Sequence, residues 1–412
     1  MSRRSFVAMS AVSSLLWASP GIAQETALDV LFSDEETGSW GNVFDTGPST
    51  AASFSFHNLG PLISPKTLKV TRRAARALKN LMSKGEAWPV IPHTEVMKIG
   101  LHSPVVTLLR RRLAASGQFV SQYGDEKTFD SFVEVAVKRF QSLHGLPVNG
   151  IVDGDLRKIM NISPDVRLSQ LKKNISRLVS MSGSLGSRYV MVNIPDATAE
   201  VVDGGSIVAR HKVAVGSVKK PTPTLSSNIY AVNFNPYWYV PASIVREDII
   251  PKMRSDSDYL SKNNIRILGE TGKEVDPSEI DWTGKQGLRY FFRQDPGRRN
   301  AMAGARIAFA NKHSVYMHDT PLKDLFGLNR RFFTAGCIRV QNIRSLIKWL
   351  LRDTPEWSSS RIDDVLGSGK LVTARLAKPV PLHICYITAW ASSEAALHFR
   401  EDVYFQDGIL GG

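Results

Sequence analysis

Two residues of this 412-residue chain have the types and the setting for nucleophilic chemistry, His318 and Cys337. A free thiol with a pKa of about 8.5 is only a few per cent ionised at neutral pH, and a neighbouring imidazole activates it. The imidazole takes the thiol proton and later returns it to a departing amine. Cys337 stands in the run Thr334-Ala335-Gly336-Cys337-Ile338-Arg339-Val340, nineteen residues after His318. Gly336 has no side chain, so backbone N–H groups beside Cys337 can face a developing oxyanion. Arg339 offers a guanidinium fork for a substrate carboxylate, or a brace for the loop. Tyr316 lies two residues before His318 and shares its strand face, either lining the same cleft or packing. These residues suit acyl transfer through a thioester.

The surrounding pattern says which elements must position them. Residues 307–310 and 314–318 read as two strands of a hairpin ending in His318-Asp319-Thr320-Pro321. Val340, Ile343, Leu346, Ile347 and Leu350 carry the helical period. This spacing predicts that Cys337 sits just before a helix, where the positive dipole end favours a thiolate. Upstream, residues 189–194, Val201, 207–209 and 213–216 read as a β-meander with Gly and Asp turns. The segment 233–241 is aromatic and proline-edged; Tyr237, Trp238 and Tyr239 either clamp a substrate or fill a core, with Trp238 the site candidate. Residues 242–305 are too long for a simple connection and predict an inserted subdomain or lid. Residues 382–390 and 397–404 again read as strands. Cys385 lies in an apolar strand and reads as a small buried hydrophobe; a disulfide to Cys337 would disable the thiol. His313 and His318, five apart, face opposite sides of a strand, and no His-Glu-x-x-His pair occurs, so no metal is expected.

The first half of the chain is helical. Ser64-Pro65 supplies an N-cap and a first-turn proline, Leu68, Ala75, Leu78 and Met82 follow at helical spacing, and Gly85 ends the helix. Residues 88–92 form an extended apolar segment expected to dock on a neighbour. Residues 97–163 outline three short helices, marked by Val106, Leu109 and Leu113, by Phe132 to Phe140, and by Leu156, Ile159 and Met160. Arg110-Arg111-Arg112 reads as a solvated helix edge. A basic helix, 167–179, leads onward.

Composition bounds the answer further. The chain is 43% apolar and 22% charged, an ordinary globular balance, and its length predicts two or three domains. Two cysteines are too few for a four-cysteine zinc site or a disulfide scaffold. Fifty-two basic against thirty-eight acidic residues give a net charge of +14, which suggests an anionic partner. No nucleic-acid-reading motif accompanies that charge, so no nucleic acid is expected. Residues 1–23 read as an export signal: Arg3 and Arg4 precede a short apolar run, and Gly21-Ile22-Ala23 offers a cleavage site. The pair of arginines fits either a twin-arginine or a Sec signal. No stretch approaches the roughly 20 apolar residues of a membrane span. Residues 24–62 read as a tail or linker without a fold.

Two family resemblances follow from these residues. Residues 136–146, Ala-Val-Lys-Arg-Phe-Gln-Ser-Leu-His-Gly-Leu, with Gly150, Asp153 and the upstream Gly100, Val106, Leu109, Leu113 and Gly117, resemble the peptidoglycan-binding domain type 1. His318, Thr334, Gly336, Cys337 and Arg339 resemble the motif of the L,D-transpeptidase (YkuD) catalytic domain. That motif is a histidine, a gap in the high teens, then Ser/Thr-His-Gly-Cys and an arginine. Ala335 departs from it, where many members carry a second histidine. Asn235-Pro236-Tyr237-Trp238, the turn Arg293 to Gly297 with Asn300, and Thr388-Ala389-Trp390 extend the likeness to the large periplasmic subgroup, whose insertion caps the cysteine.

The resemblance implies an α+β fold, with a mostly-β catalytic domain, an inserted lid and a small three-helix wall-binding domain. The implied division is 1–23 signal, 24–62 tail, 63–96 helical segment, 97–163 peptidoglycan-binding domain, 164–186 linking helix, and 187–410 catalytic domain with a lid at about 242–305. It implies a periplasmic monomer with Cys337 as nucleophile, His318 as proton carrier and Gly336 at the oxyanion hole. Arg339, Tyr316, Thr334 and Trp238 would then bind substrate. The expected reaction joins two peptidoglycan stem peptides by a 3→3 cross-link, with carbapenems acylating the same cysteine and no cofactor. Water or an outer-membrane protein amine are the alternative acceptors, giving a carboxypeptidase or a protein-attaching enzyme. A non-catalytic wall-binding protein is the remaining class.

Overall fold

The structure, a computed structural model, describes residues 60–408 apart from 86–87, 94, 120–125, 184 and 394–395. The signal at 1–23 and most of the tail, 24–59, lie outside the described residues. Pro61 and Leu62, assigned to that tail, belong to the folded body: both are buried, and the Leu62 N–H donates to Glu200 at 2.9 Å. An apolar residue with a bonded amide docks where composition alone suggests a linker.

Helix α1 (Pro65–Ser83) begins as its sequence dictates, with the Ser64 side chain accepting from the Thr67 N–H and Pro65 in the first turn. It ends before Gly85, whose φ of +72° suits glycine. Ala74, Ala75 and Leu78 face inward, while Lys66, Lys69, Arg72, Arg73, Arg76 and Lys79 are all exposed. Part of the basic surplus is thus concentrated on one helix face.

Helices α2 (Pro104–Ala115), α3 (Ser131–Leu143) and α4 (Gly154–Met160) pack around Val106, Leu109, Leu113, Phe129, Val137, Phe140 and Met160. Asp130 and Asp153 cap α3 and α4 through their side chains. The arginine run does not form a solvated edge. Consecutive helical residues point about 100° apart, so three in a row cannot share one side. Arg112 is buried, its guanidinium 4.0 Å from the Trp88 ring centroid, and its Nε donates to the Met160 carbonyl. Arg110 pairs with Asp130 at 2.6 Å, leaving only Arg111 outside.

Helix α5 (Pro164–Met181) joins this unit to the strands as a docked element. Asn174 donates to the Thr388 hydroxyl at 2.7 Å and accepts from its N–H at 2.9 Å, and Gln170 donates to the Thr388 carbonyl. From the other side, Arg400 donates to the Leu143 carbonyl and pairs with Asp196.

The strands β1 (Arg188–Asn193), β2 (Thr198–Asp203) and β3 (Ser206–Gly216) form the expected antiparallel meander. The sheet continues through β4 (Leu225–Phe234), β9 (Ala305–Phe309), β10 (Met317–His318), β11 (Phe332–Thr334), β12 (Ile338–Val340) and β13 (Val372–Cys385). Its order is β11-β3-β12-β10-β9-β4-β13-β1-β2, and the β2–β3 pairing closes it on itself. Closure removes the sheet edges and gives the inward side chains one core. Val190, Val192, Ile307, Met317, Ile338 and Val340 share that core with Leu346, Ile347 and Leu350 of helix α6 (Ile343–Leu351).

Between β4 and β9 the chain builds a second core. β5 (Trp238–Tyr239), β8 (Phe291–Gln294), β6 (Ile265–Leu268) and β7 (Glu274–Val275) make a small sheet in that order. Short helical turns across 242–262 cover it, and Ile249, Leu260, Ile267 and Phe292 fill the interior. Asn300 ties its return by donating to the carbonyls of Pro236 and Asp295. Tyr316 of the main sheet packs against this second core, so it lies over the strand end that carries His318. Among the described residues no helix is long and apolar enough to cross a membrane.

Candidate active site

The alternation of two adjacent strands assembles the site. In the parallel pair β10–β12, Met317 lies opposite Ile338 and His318 opposite Arg339. The Ile338 N–H bonds the Tyr316 carbonyl at 3.0 Å, which carries the register back to Tyr316 beside Cys337. Met317 and Ile338 point into the core. Tyr316, His318, Cys337 and Arg339 therefore project from the other face. His318 and Cys337 are diagonal neighbours on that face, one strand and two residues apart. On the far flank Arg306 of β9 lies opposite His318 and shares the face.

Cys337 does not precede a helix directly. Strand β12 intervenes, and α6 starts only at Ile343, capped by Asn342. A helix dipole fades within a turn, so it gives the sulfur no help. Val340, the residue from which the helical period is counted, belongs with Ile338 to a core strand instead.

Burial sets the electrostatics. It pushes the Cys337 thiol above its ordinary range, against the Tyr316 backbone and hydroxyl hydrogen bonds to the sulfur and the charges of Arg339 and Arg306, which pull it down. Burial also lowers His318 to about 3, helped by Arg339 and Arg306, which disfavour an imidazolium. The resting pair is thus a neutral thiol and a neutral imidazole. His318 Nδ1 lies 2.5 Å from the Asp319 carbonyl, which can only accept, so Nδ1 carries the proton and Nε2 keeps its lone pair. The sulfur's own hydrogen bonds run to Tyr316.

Each expected site residue has a definite place. Tyr316 is central: its ring meets His318 edge-on at 5.5 Å, the Arg306 guanidinium stacks over it at 4.9 Å, and Trp238 donates to its hydroxyl. Trp238 does not present an open clamp. It is 5% exposed and packs in the second core, meeting the site at the Tyr316 hydroxyl. Thr334 is not an open substrate contact either. Its hydroxyl donates to the Cys337 carbonyl at 2.6 Å and accepts from the Gly336 N–H at 3.2 Å, so both its roles are spent inside the turn. That bond also commits the Gly336 amide, which is therefore not free for an oxyanion. Among the described residues the Cys337 N–H has no hydrogen-bond partner. Gly336 is required for another reason: its φ is +108°, while an added Cβ would meet only ordinary contacts from 3.6 Å outward. Ala335 is exposed on the turn. Arg339 is 5% exposed, and its Nε and Nη1 have no acceptor.

Other residues join that the motif did not point to. Thr222 is buried, accepts from the Gly216 N–H and donates to the Gly336 carbonyl, both at 2.8 Å, so it holds the cysteine turn against β3. Arg306, the charged residue between Ala305 and Ile307, comes to the site through the pairing of β9 with β10, which sets it opposite His318. Cys385 is buried in a different core, and both cysteines are free. Among the described residues no group of three or more His, Cys, Asp or Glu side chains is placed to hold a metal.

A closed mixed sheet thus carries a cysteine and a histidine on one outer face, beside a three-helix unit. Comparison with known proteins finds likenesses for both parts. Residues 187–357 match the L,D-transpeptidase catalytic domain (YkuD), and residues 102–160 match the "Putative peptidoglycan binding domain". The chain carries a YkuD L,D-transpeptidase catalytic domain and a peptidoglycan-binding domain. A protein of Haemophilus influenzae described as "Putative L,D-transpeptidase" is 31% identical over 219 residues, 53% of this chain and 44% of that one. The chain therefore spans less than half the length of that relative. Among solved structures, an L,D-transpeptidase from Mycobacterium smegmatis is 12% identical, covering 48% of this chain and 58% of its own, with a TM-score of 0.25. One from Stackebrandtia nassauensis is 12% identical, covering 72% and 96%, with a TM-score of 0.26.

Proposed function

We propose that the protein is an exported L,D-transpeptidase that forms 3→3 peptidoglycan cross-links through a thioester on Cys337. The observation that carries this reading is the common face of Cys337 and His318, with His318 Nδ1 tied to the Asp319 carbonyl and Nε2 left to accept. Cys337 Sγ attacks the carbonyl between the third residue and the terminal D-alanine of a stem tetrapeptide, and Nε2 takes the thiol proton. The carbonyl electrons move to oxygen, where the Cys337 N–H receives the developing charge. Collapse breaks the C–N bond, and the imidazolium returns its proton to the departing amine. The thioester then meets the side-chain amine of a second stem. Nε2 takes that amine's proton and passes it to the leaving thiolate, restoring the neutral pair.

An unprotonated Nε2 fits this sequence, because the base is ready to accept a proton on arrival. The second core over Tyr316 supports a role as a cap that keeps water from the thioester. The three-helix unit supports delivery to the wall. Product analysis with a purified disaccharide tetrapeptide tests the reading. Cross-linked dimers are expected from the wild type and none from a folded Cys337→Ala variant. Trimmed monomers alone would make the enzyme a carboxypeptidase, and full activity of the variant would remove Cys337 from the chemistry.

A further inference from the structure

Two arginines flank His318, one on each neighbouring strand, Arg339 buried and Arg306 half-buried. Arg306 lies opposite it in the antiparallel register and Arg339 in the parallel one. All three side chains leave the same outer face. Neither arginine has an ion-pair partner among the described residues, and the Nε of Arg306 and the Nε and Nη1 of Arg339 are buried without an acceptor. Other arginines near this sheet are spent on the fold. Arg331 donates to the Val213, Leu328 and Ala197 carbonyls, and Arg400 pairs with Asp196. A guanidinium removed from water without an anion is costly, and buried polar groups left unpaired call for an explanation. Two such groups beside a nucleophile leave room for an anion that the chain itself does not supply.

The reaction proposed above says where that anion sits. His318 hands its proton to the departing amine. When the departing group is a terminal amino acid, its carboxylate hangs on the carbon that bears this amine. It must settle beside His318, where Arg306 stands, its guanidinium held over the Tyr316 ring at 4.9 Å. We propose that Arg306 is a specificity-determining residue, forming with Arg339 a subsite for the carboxylate of the departing residue. The inference rests on the transpeptidase reading and adds to it the group that recognises a free C-terminus.

The test compares a tetrapeptide donor ending in a free carboxylate with the same donor as its C-terminal amide. Wild-type kcat/KM should favour the acid about 10–100-fold, the range of a charge-assisted hydrogen bond. In Arg306→Gln that preference should shrink to about threefold or less, chiefly through a higher KM for the acid, and Arg306→Lys should restore part of it. Turnover by the wild type without preference for the acid, or a preference that survives in Arg306→Gln, overturns the assignment alone. Failure of the wild type to use either peptide overturns the transpeptidase reading and this inference with it. Should Arg306→Gln not fold, the wild-type comparison and Arg306→Lys decide.

Discussion

Replacing Thr334 with valine separates a residue that shapes the cysteine turn from one that touches substrate. The two side chains have nearly the same shape, so packing is kept while the hydroxyl is lost. That hydroxyl serves two buried backbone groups, the Cys337 carbonyl at 2.6 Å and the Gly336 N–H at 3.2 Å. Each group left unpaired costs about 1–3 kcal/mol, so Thr334→Val should lose about 2–6 kcal/mol. For a domain of this size, at about 2–4 °C per kcal/mol, that lowers Tm by about 4–24 °C. The turn also fixes the sulfur, and a displacement of about 1 Å at a nucleophile costs on the order of 100-fold in rate. The expected pattern is therefore a lower Tm and a lower kcat with little change in KM, and recovery of both in Thr334→Ser. Thermal melts with steady-state kinetics on a tetrapeptide donor read all three quantities. An unchanged Tm with a raised KM would refute the reasoning and return Thr334 to the substrate surface.

Gly216 and Gly336 should respond differently to alanine. At Gly216 a Cβ would fall 2.2 Å from the Lys220 carbonyl oxygen and 2.5 Å from the Thr222 nitrogen, so backbone must move and the Thr222 bridge to Gly336 breaks. At Gly336 the cost is conformational, about 1–3 kcal/mol for a left-handed φ. Melting curves should show the larger loss for Gly216→Ala. A second effect concerns acid stability. His144 stacks on Phe140 at 3.8 Å and lies under Phe399; burial, then Arg167, holds its pKa well below 6.5. Below pH 6.5 the unfolded chain binds a proton that the folded one refuses, so stability falls with pH, by up to about 1.4 kcal/mol per unit per histidine. His144→Gln should make Tm against pH shallower between pH 6.5 and 4.5. The slope should not vanish, because His318 and His398, both lowered to about 3, act with the same sign. An unchanged slope would contradict the assignment.

The sequence made some of this legible and hid the rest for physical reasons. Helix caps, the meander and the hairpin end at His318 follow from local rules, since each depends on neighbours along the chain. The setting of Cys337 is hidden because Val340 fits the start of the helical period that runs to Leu350 as well as it fits a core strand. Only the pairing of β12 with β3 and β10 decides between them. Thr334 and Gly336 were placed in the right turn but given outward roles; a hydrogen bond between residues two apart turns both inward. Arg110 and Arg112 looked like surface charge because nothing in a run of arginines announces the Trp88 ring or the Asp130 carboxylate. Arg306 and Thr222 escaped notice because strand order brings them to the site, and strand order is not a local property.

The claim beneath all of this is that Cys337 is an accessible nucleophile served by His318. The most direct measurement is intact-protein mass spectrometry after incubation with a carbapenem, with the adduct mapped by peptide digestion. A single covalent adduct on Cys337 is expected in the wild type, none in Cys337→Ala, and much slower formation in His318→Gln. An adduct on another residue, no adduct at all, or an undiminished rate without the imidazole would contradict it.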